Sequence, residues 1–355
     1  MPQNVMGCRY PTNAEIQSIQ AELMPRFLEN RLAFEIAPFR TSDYAQIMFH
    51  QPDVFRGLQQ YRGVGKPDQT ETSRYNPHGR VCTAEPGYWG EFDTISEEFL
   101  TRAAQPGSCS DVIDLTEQIV RRQELLMERR YNRVEFNIWQ GLVFGRYEAL
   151  NNQGQIIFEQ TYNNQQITAG VPWSDKENST PLQDFRCIQL RGRGTSASFN
   201  SDSVAYMNRV TANCLFSNTN QDDLGNRYMV NGCCDESLKG PEFTNRQFMA
   251  QGLPQIHIYD EGYISDAGNF HPYIPDGYVV VIGKRPGNAP IAEYMLTRNV
   301  VGCDVSSGFW QKLIDNCDRA VPREIQVHDG HNGGLAIPHP RAIAVLNTGC
   351  TNDCP

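Results

Sequence analysis

The period of the apolar residues changes several times along the chain, and each change marks an element. From Asn13 to Ala37 the positions Ile16, Ile19, Leu23, Phe27, Leu28 and Leu32 recur at the spacing of one helix face, with Pro25 expected to end or kink its first part. Such an amphipathic segment needs a surface to cover. Residues 38–108 then show only short apolar alternations among scattered Pro, Gly and Arg, an unusual length of loop for a compact domain. Within them, Gln59 to Glu91 is rich in Gly, Pro, Asn, Thr and Arg. It cannot bury enough apolar area by itself to offset the ~1–2 kcal/mol that ordering each residue's backbone costs. This segment is expected to be disordered or to be ordered by other chains.

Asp114-Leu-Thr-Glu117 has the spacing of a capping box, and the longest predicted helix follows it to about Gly141. Its stripe is Ile119, Val120, Leu126, Met127, Tyr131, Val134 and Ile138, while Arg121, Arg122, Arg129, Arg130 and Arg133 cover other faces. Those arginines suit nucleic acid or, more simply, a solvated or carboxylate-paired face, and the second reading is preferred. Beyond the helix the period becomes two. Val143 to Leu150 and Gln155 to Tyr162 flank Asn151-Asn-Gln-Gly154, which predicts a β-hairpin. After Val171-Pro-Trp-Ser174 a helix is predicted from about Ser201 to Phe216. A second β section opens at Leu253: Ile256, Ile258 and Tyr259 lead to a turn at Ser265-Asp-Ala-Gly268, and Phe270 to Ile274 comes back. Pro275-Asp-Gly277 then turns into Tyr278 to Ile282. The closing stretch Leu335 to Leu346 is β-like despite Pro338 and Pro340.

A chain of 355 residues can bury roughly three-quarters of its surface, so folding requires neither disulfide nor metal. The apolar fraction of 39 % and mean hydropathy of −0.51 are low, which puts much of the chain on surfaces, in loops or in extended arms. With 41 acidic and 31 basic residues the net charge is −10, against a nucleic-acid surface covering the whole molecule. The basic residues are 26 Arg and only 5 Lys, a balance suited to planar pairing with carboxylates at protein interfaces. No apolar run approaches the ~20 residues that span a bilayer, and Met1 to Arg9 lack the layout of a secretion signal, so no membrane partner is expected.

Eleven cysteines leave at least one thiol free or bonded to another chain. They form no paired C-x-x-C halves followed by histidines, so a zinc finger is poorly supported; reduced thiols or disulfides formed in oxidising surroundings remain. The candidate disulfide cysteines are Cys8, Cys82, Cys233, Cys234, Cys303, Cys317, Cys350 and Cys354, with a vicinal Cys233–Cys234 bridge and a short Cys350–Cys354 loop as local options. No nucleotide-binding glycine motif and no G-x-S-x-G elbow occurs. Arg191-Gly-Arg-Gly194 could hold an anion, a flexible loop being the plainer reading. His328-Asp-Gly-His331, with His339, is the best metal candidate, weakened by a Gly-rich loop setting and the lack of a third ligand. His257 and His271 read as packing or hydrogen-bonding residues. No catalytic residue, metal or cofactor is assigned.

In order, the chain offers an amphipathic arm, a long excursion, a very long helix, a hairpin, a mixed region and a returning strand. This layout resembles the major capsid proteins of tailed bacteriophages, and the lambda-type major capsid protein E family above all. The matching stretches are Asp114 to Phe144, ending in Trp139-Gln-Gly-Leu-Val-Phe144, and the hairpin with Val171-Pro-Trp-Ser174. The most specific is Gly252-Leu-Pro-Gln-Ile-His-Ile-Tyr-Asp260 followed by Tyr273-Ile-Pro-Asp-Gly-Tyr-Val-Val280, with weaker support from the arm and from Ile337-Pro-His-Pro-Arg-Ala342.

The resemblance implies an α+β fold of the Hong Kong ninety-seven-type phage capsid class. Residues 1–58 would be the N-terminal arm, 59–105 the extended E-loop and 106–175 the peripheral domain with its spine helix. Residues 176–334 would be the axial domain, and 335–355 a C-terminal strand returning to the peripheral domain, with a tail. The implied role is structural and without catalysis: a virion protein, assembled in the host cytoplasm, whose hexamers and pentamers form an icosahedral head around double-stranded DNA. Portal, scaffolding and cement or decoration proteins are the implied partners, with DNA held without sequence specificity. A separately encoded scaffold is expected, because the sequence starts directly at the arm. Some relatives crosslink Lys to Asn, but Lys66 is the only lysine in the expected E-loop and no catalytic carboxylate is marked, so no isopeptide link is expected. Cys8 and Cys82 offer intersubunit disulfides instead. The rival readings are a metal-dependent hydrolase using His328, Asp329 and His331, and a cysteine-rich extracellular adhesin.

Overall fold

A computed structural model describes residues 3–5, 8–51, 80–103, 113–150, 155–218, 241–285, 290–301, 304–316 and 323–350. The N-terminal part contains β1 (Gln3–Val5), β2 (Cys8–Tyr10), α1 (Asn13–Leu28), α2 (Leu32–Ile36), β3 (Phe39–Thr41) and β4 (Ile47–Gln51). Next come β5 (Arg80–Ala84), β6 (Gly87–Ser96), α3 (Glu97–Ala103), β7 (Ile113–Asp114), α4 (Thr116–Phe144), β8 (Arg146–Leu150), β9 (Ile156–Thr161) and β10 (Gln165–Thr168). The middle holds α5 (Pro181–Arg191), β11 (Val204–Met207), α6 (Arg209–Phe216), α7 (Pro241–Ala250), β12 (Gln255–Ile258), β13 (Gly262–Ile264), β14 (Phe270–Pro272) and β15 (Tyr278–Ile282). The chain closes with β16 (Glu293–Leu296), β17 (Arg298–Val301), β18 (Asp304–Ser307), β19 (Phe309–Asp315), β20 (Glu324–Ala336) and β21 (Ile343–Asn347).

Helix α1 starts at a reciprocal cap that the sequence reading missed. The Thr12 hydroxyl accepts from the Glu15 N–H at 3.3 Å, and the Glu15 carboxylate accepts from the Thr12 N–H at 2.9 Å. Pro25 does not end the helix but sits in its last turn, where its carbonyl still accepts from the Glu29 N–H at 3.2 Å. The expected box at Asp114 does not form. Leu115 is the N-cap of α4, and the Asp114 carboxylate accepts from the Thr116 N–H at 2.9 Å. At ~1.5 Å per residue α4 is ~44 Å long. It stops at Gly145, whose φ of 64° turns the chain left-handed and lets the Gly145 carbonyl accept from Tyr162 N–H at 2.6 Å. The predicted stripe on α4 is buried except for Val120, which is half-buried.

Helix α4 lies on a sheet ordered β19-β20-β16-β3, with β6 on the other edge of β20. Strand β20 is the hub: β19 pairs from Asp315↔Ile325 to Phe309↔His331, and β6 from Ser96↔Glu324 to Gly87↔Gly333. Residues 87–91 of the Gly- and Pro-rich segment are therefore ordered by this chain itself, because they pair with Gly333 back to Asp329 of β20. Upstream, β4 and β5 pair from Ile47↔Ala84 to Gln51↔Arg80. The intervening residues 52–79, which hold most of that segment and Lys66, lie outside the described residues.

The other large sheet is ordered β10-β21-β15-β11-β12. Trp173, Phe185, Ile188, Phe248 and Leu253 are buried there with Val279, Val281, Ala344 and Leu346. Two expectations are corrected in this region. Val204 to Met207 form a strand, hydrogen-bonded between β15 and β12, and the helix begins only at Arg209, where the Asn208 side chain accepts from Thr211 N–H at 2.9 Å. The closing apolar stretch is two strands in two sheets, separated by Pro338 and a 3-10 turn at Pro340–Ala342. The hairpin β8–β9 forms as predicted, although Val143 and Phe144 belong to α4. The turn before β15 requires Gly277, whose φ is 78° and whose Cβ would come within 2.6 Å of the Cys350 carbonyl oxygen.

The sheets cut across the expected domain limits. Strands β16, β19 and most of β20, expected in an axial domain, share the sheet under α4, and β21 pairs with β15 as well as β10.

Candidate assembly surfaces and the His328–His331 segment

The sequence-predicted metal candidate lies within strand β20, not on a Gly-rich loop, and strand alternation separates its members. Asp329 and His331 face α4, where both are buried. Arg130 Nη1 donates to Asp329 Oδ1 at 2.6 Å, and Gln311 Nε2 donates to the same oxygen at 2.8 Å. Gln123 Nε2 in turn donates to Gln311 Oε1 at 2.9 Å. The Arg130 guanidinium also stacks 4.4 Å from the Phe309 ring centroid. Burial pushes the Asp329 carboxyl up, against the pull of Arg130 and Gln311. His331 Nε2 and the Tyr294 hydroxyl share a hydrogen bond of 3.1 Å. Burial, with the nearby Arg130 charge second, pushes the His331 imidazole down to about 3, so it is neutral.

His328 points to the opposite face, where its ring stacks on Phe92 at 5.0 Å and Nε2 lies 3.0 Å from Gln326 Oε1. His339 lies elsewhere, its Nδ1 3.2 Å from Ser196 Oγ. Among the described residues no three of His, Cys, Asp and Glu converge on a point. His257 packs on Tyr206 and His271 on Tyr263.

Four of the five arginines of α4 pair with this chain's carboxylates, while Arg133 stacks 5.2 Å from the Trp89 ring and 5.7 Å from the Phe136 ring. Arg122 pairs with Asp93 on β6. Arg129 meets Glu91 at 2.9 Å and Asp266 at 3.0 Å, and Arg121 meets Glu117 at 2.6 Å. On the next buried turn Glu135 takes Arg31 at 3.1 Å and the Tyr259 hydroxyl. Burial raises the Glu135 carboxyl, opposed by those two partners. This cluster ties the segment before α2 to α4 and to the residue that follows β12.

Assembly needs surfaces as well as a core. Three places display apolar side chains to solvent in pairs. Ile264 and Phe270 are cross-strand partners at the tip of β13–β14, 72 % and 57 % exposed. Val300 and Val305 are partners in β17–β18, and Tyr88 and Phe92 project from β6. The sequence reading missed all three; the available signal was an apolar residue on the polar phase of a period-two segment beside a turn.

A disulfide joins Cys214 of α6 to Cys350 after β21, with Cα atoms 6.6 Å apart. Cys350 therefore does not pair with Cys354, and its partner was not among the candidates, because 136 positions separate the two. Cys82 on β5 and Cys187 on α5 are free and half-buried, and Cys8 lies in β2 opposite Val5. Cys233, Cys234, Cys303, Cys317 and Cys354 lie outside the described residues.

The model of one protein family, described as phage major capsid protein E, matches residues 16–316. No curated protein matches the chain at a significant level. Two solved structures share its fold with a TM-score of 0.53. One, assigned as the capsid protein of a prophage of E. coli CFT073, is 14 % identical and covers 95 % of this chain and 98 % of its own. The other, a phage-related protein from Bordetella bronchiseptica RB50, is 9 % identical and covers 95 % and 97 %.

Proposed function

The chain belongs to the phage major capsid protein E family, with the α+β Hong Kong ninety-seven-type capsid fold, and from that premise we propose how it builds a shell. Its role is structural and not enzymatic: copies of it associate into the capsid shell of a virion. The hydrolase and adhesin readings have no support.

In our reading the subunits form hexamers and pentamers of an icosahedral head, assembled in the host cytoplasm. That head encloses double-stranded DNA without sequence specificity and works with portal, scaffolding and cement proteins. The match over residues 16–316 carries this proposal. Supporting it, the spine-helix arginines Arg122, Arg129 and Arg130 are committed to carboxylates of their own chain, which suits a wall better than a phosphate grip. The exposed pairs Ile264–Phe270, Val300–Val305 and Tyr88–Phe92 are the contacts we assign to neighbouring copies.

We retain an N-terminal arm over 1–58, an E-loop over 59–105, a peripheral domain from 106 to 175 and an axial domain from 176, with one refinement. Strands β16, β19 and β20 are counted with the peripheral domain, because they hydrogen-bond to one another and to β3 or β6 under α4. Cys8 and Cys82 remain candidates for intersubunit disulfides, which a non-reducing gel of assembled particles reads directly as dimers or larger species.

Size-exclusion chromatography of the recombinant chain, with negative-stain electron microscopy of each peak, tests the shell proposal. Closed shells, tubes or ring-shaped capsomers are expected. A compact monomer at every concentration would overturn it.

A further inference from the structure

The Arg191-Gly-Arg-Gly194 segment has no part in the interfaces assigned above. It ends α5 and enters a loop that lines a cleft of about 540 Å³, closed on its other side by the residues after β15. A two-bond bridge fixes the two walls: Ser198 N–H donates to the Lys284 carbonyl at 3.0 Å, and Lys284 N–H to the Ser198 carbonyl at 2.8 Å.

Arg193, Lys284 and Arg285 all line this cleft, and no Asp or Glu does. Among the described residues none of these three cations has a carboxylate within ion-pair distance, in a chain whose net charge is −10. Arg285 is anchored by Nη1, which donates to the Pro290 carbonyl at 2.9 Å, while its Nε is buried without a partner. Burial lowers the Arg285 guanidinium pKa, the direction of a cation lacking a counter-charge. His339, beside Ser196 on the cleft wall, is pushed down to about 4 by burial first and by the Arg285 charge second. The remaining polar lining is hydroxyl and amide, from Gln189, Thr195, Ser196, Ser198 and Asn200.

Guanidinium forks with adjacent hydroxyls match the oxygens of a phosphate, which offers acceptors on several sides. We propose that this cleft binds a phosphate group, supplied either by a free phosphate species or by a nucleic-acid backbone. The proposal stands on the cleft alone and does not depend on how the subunits assemble.

Two probes separate the sources: inorganic phosphate, followed by phosphorus NMR line broadening, and a short random-sequence duplex DNA, followed by fluorescence anisotropy over a salt series. Both use the full chain as wild type, as R193Q/R285Q, as K284Q alone, and as R191Q. Arg191 lies outside the cleft, so R191Q controls for general charge loss; circular dichroism and the thermal midpoint control for folding. Saturable phosphate binding that weakens at least about tenfold in R193Q/R285Q, and measurably in K284Q, is expected, with R191Q unchanged. If the backbone is the source, the DNA arm also weakens and its log–log salt slope falls by about 1 per cation removed. A response to phosphate alone assigns a free phosphate species, and a response to DNA alone assigns the backbone. Binding of neither probe, or binding that is equal in folded cleft variants and wild type, overturns the proposal.

Discussion

The sheet under α4 and the sheet under α5 to α7 are both five-stranded, yet their interiors differ in kind. On α4 and against it lie the buried ionisable residues Arg130, Glu135, Asp329 and His331, with Gln123 and Gln311 hydrogen-bonded in a chain to Asp329. In the other region the buried polar side chains that organise the helices, Ser179, Asn208, Thr211 and Asn218, are hydroxyls and amides, and a disulfide closes the end. Apolar packing tolerates substitutions that keep volume and pattern. A buried ion pair tolerates none that removes one partner, since the other is left charged and dry. The first region therefore has one stringent register between helix and sheet, and the second has many permissive contacts.

Removing one member of the ion pair breaks that contrast most directly. R130M should cost about 3–5 kcal/mol, read as a shift of the urea midpoint, whereas R130M/D329L should recover much of the loss. A double variant as unstable as the single one would mean that the pair is net stabilising. Next in size is the disulfide of the second region. C214S/C350S should cost about 2–4 kcal/mol under oxidising conditions, and a reductant should lower the wild-type midpoint by the same amount while leaving the variant unmoved.

The two regions should also respond differently to acid. An unfolded His331 titrates at its ordinary 6.5 and the folded one near 3, so between those values the unfolded state binds a proton that the folded state does not. Its contribution is intact above pH 6.5, and stability falls below it by about 1.4 kcal/mol per unit. Asp329 and Glu135 are shifted upward and act with the opposite sign in the carboxylate range, where the folded state takes up its proton first. H331Q, which keeps a polar atom for Tyr294, should flatten the decline just below pH 6.5. An unchanged slope would place the acid sensitivity elsewhere.

The same contrast explains what could be read from the chain. The apolar run from Tyr278 to Ile282 and the turn at Pro275 to Gly277 are local signals, and both elements stand where the pattern put them. The spine helix was legible from Ile119 to Ile138 for the same reason. Arg130 and Asp329 are 199 positions apart, and nothing local to either distinguishes a buried pair from two surface charges. His328, Asp329 and His331 have the sequence spacing of a ligand set, but strand alternation sends His328 to the face opposite the other two. Val204 to Met207 read as helix because their strand identity depends on β12 and β15, encoded far downstream. The cation cleft was half legible, in Gly192-Arg-Gly194, but Lys284 and Arg285 joined it only through the fold.

The smallest expected effect on folding belongs to the surface pairs, and there the fold and its function come apart. Ile264 and Phe270 are cross-strand partners left mostly to solvent at the hairpin tip, so I264S/F270S should change the unfolding free energy by no more than about 0.5 kcal/mol. Each buried large apolar side chain at a contact with a neighbouring copy stabilises that contact by about 1.5–3 kcal/mol, and shell symmetry repeats the contact around every capsomer. A loss too small to register in a monomer's urea curve is thus multiplied in the assembled particle. The variant should elute as soluble subunits or capsomers at concentrations where the wild type gives closed particles. Particles formed as readily as by wild type would remove this hairpin from the interface and leave β17–β18 and the exposed face of β6 to carry it.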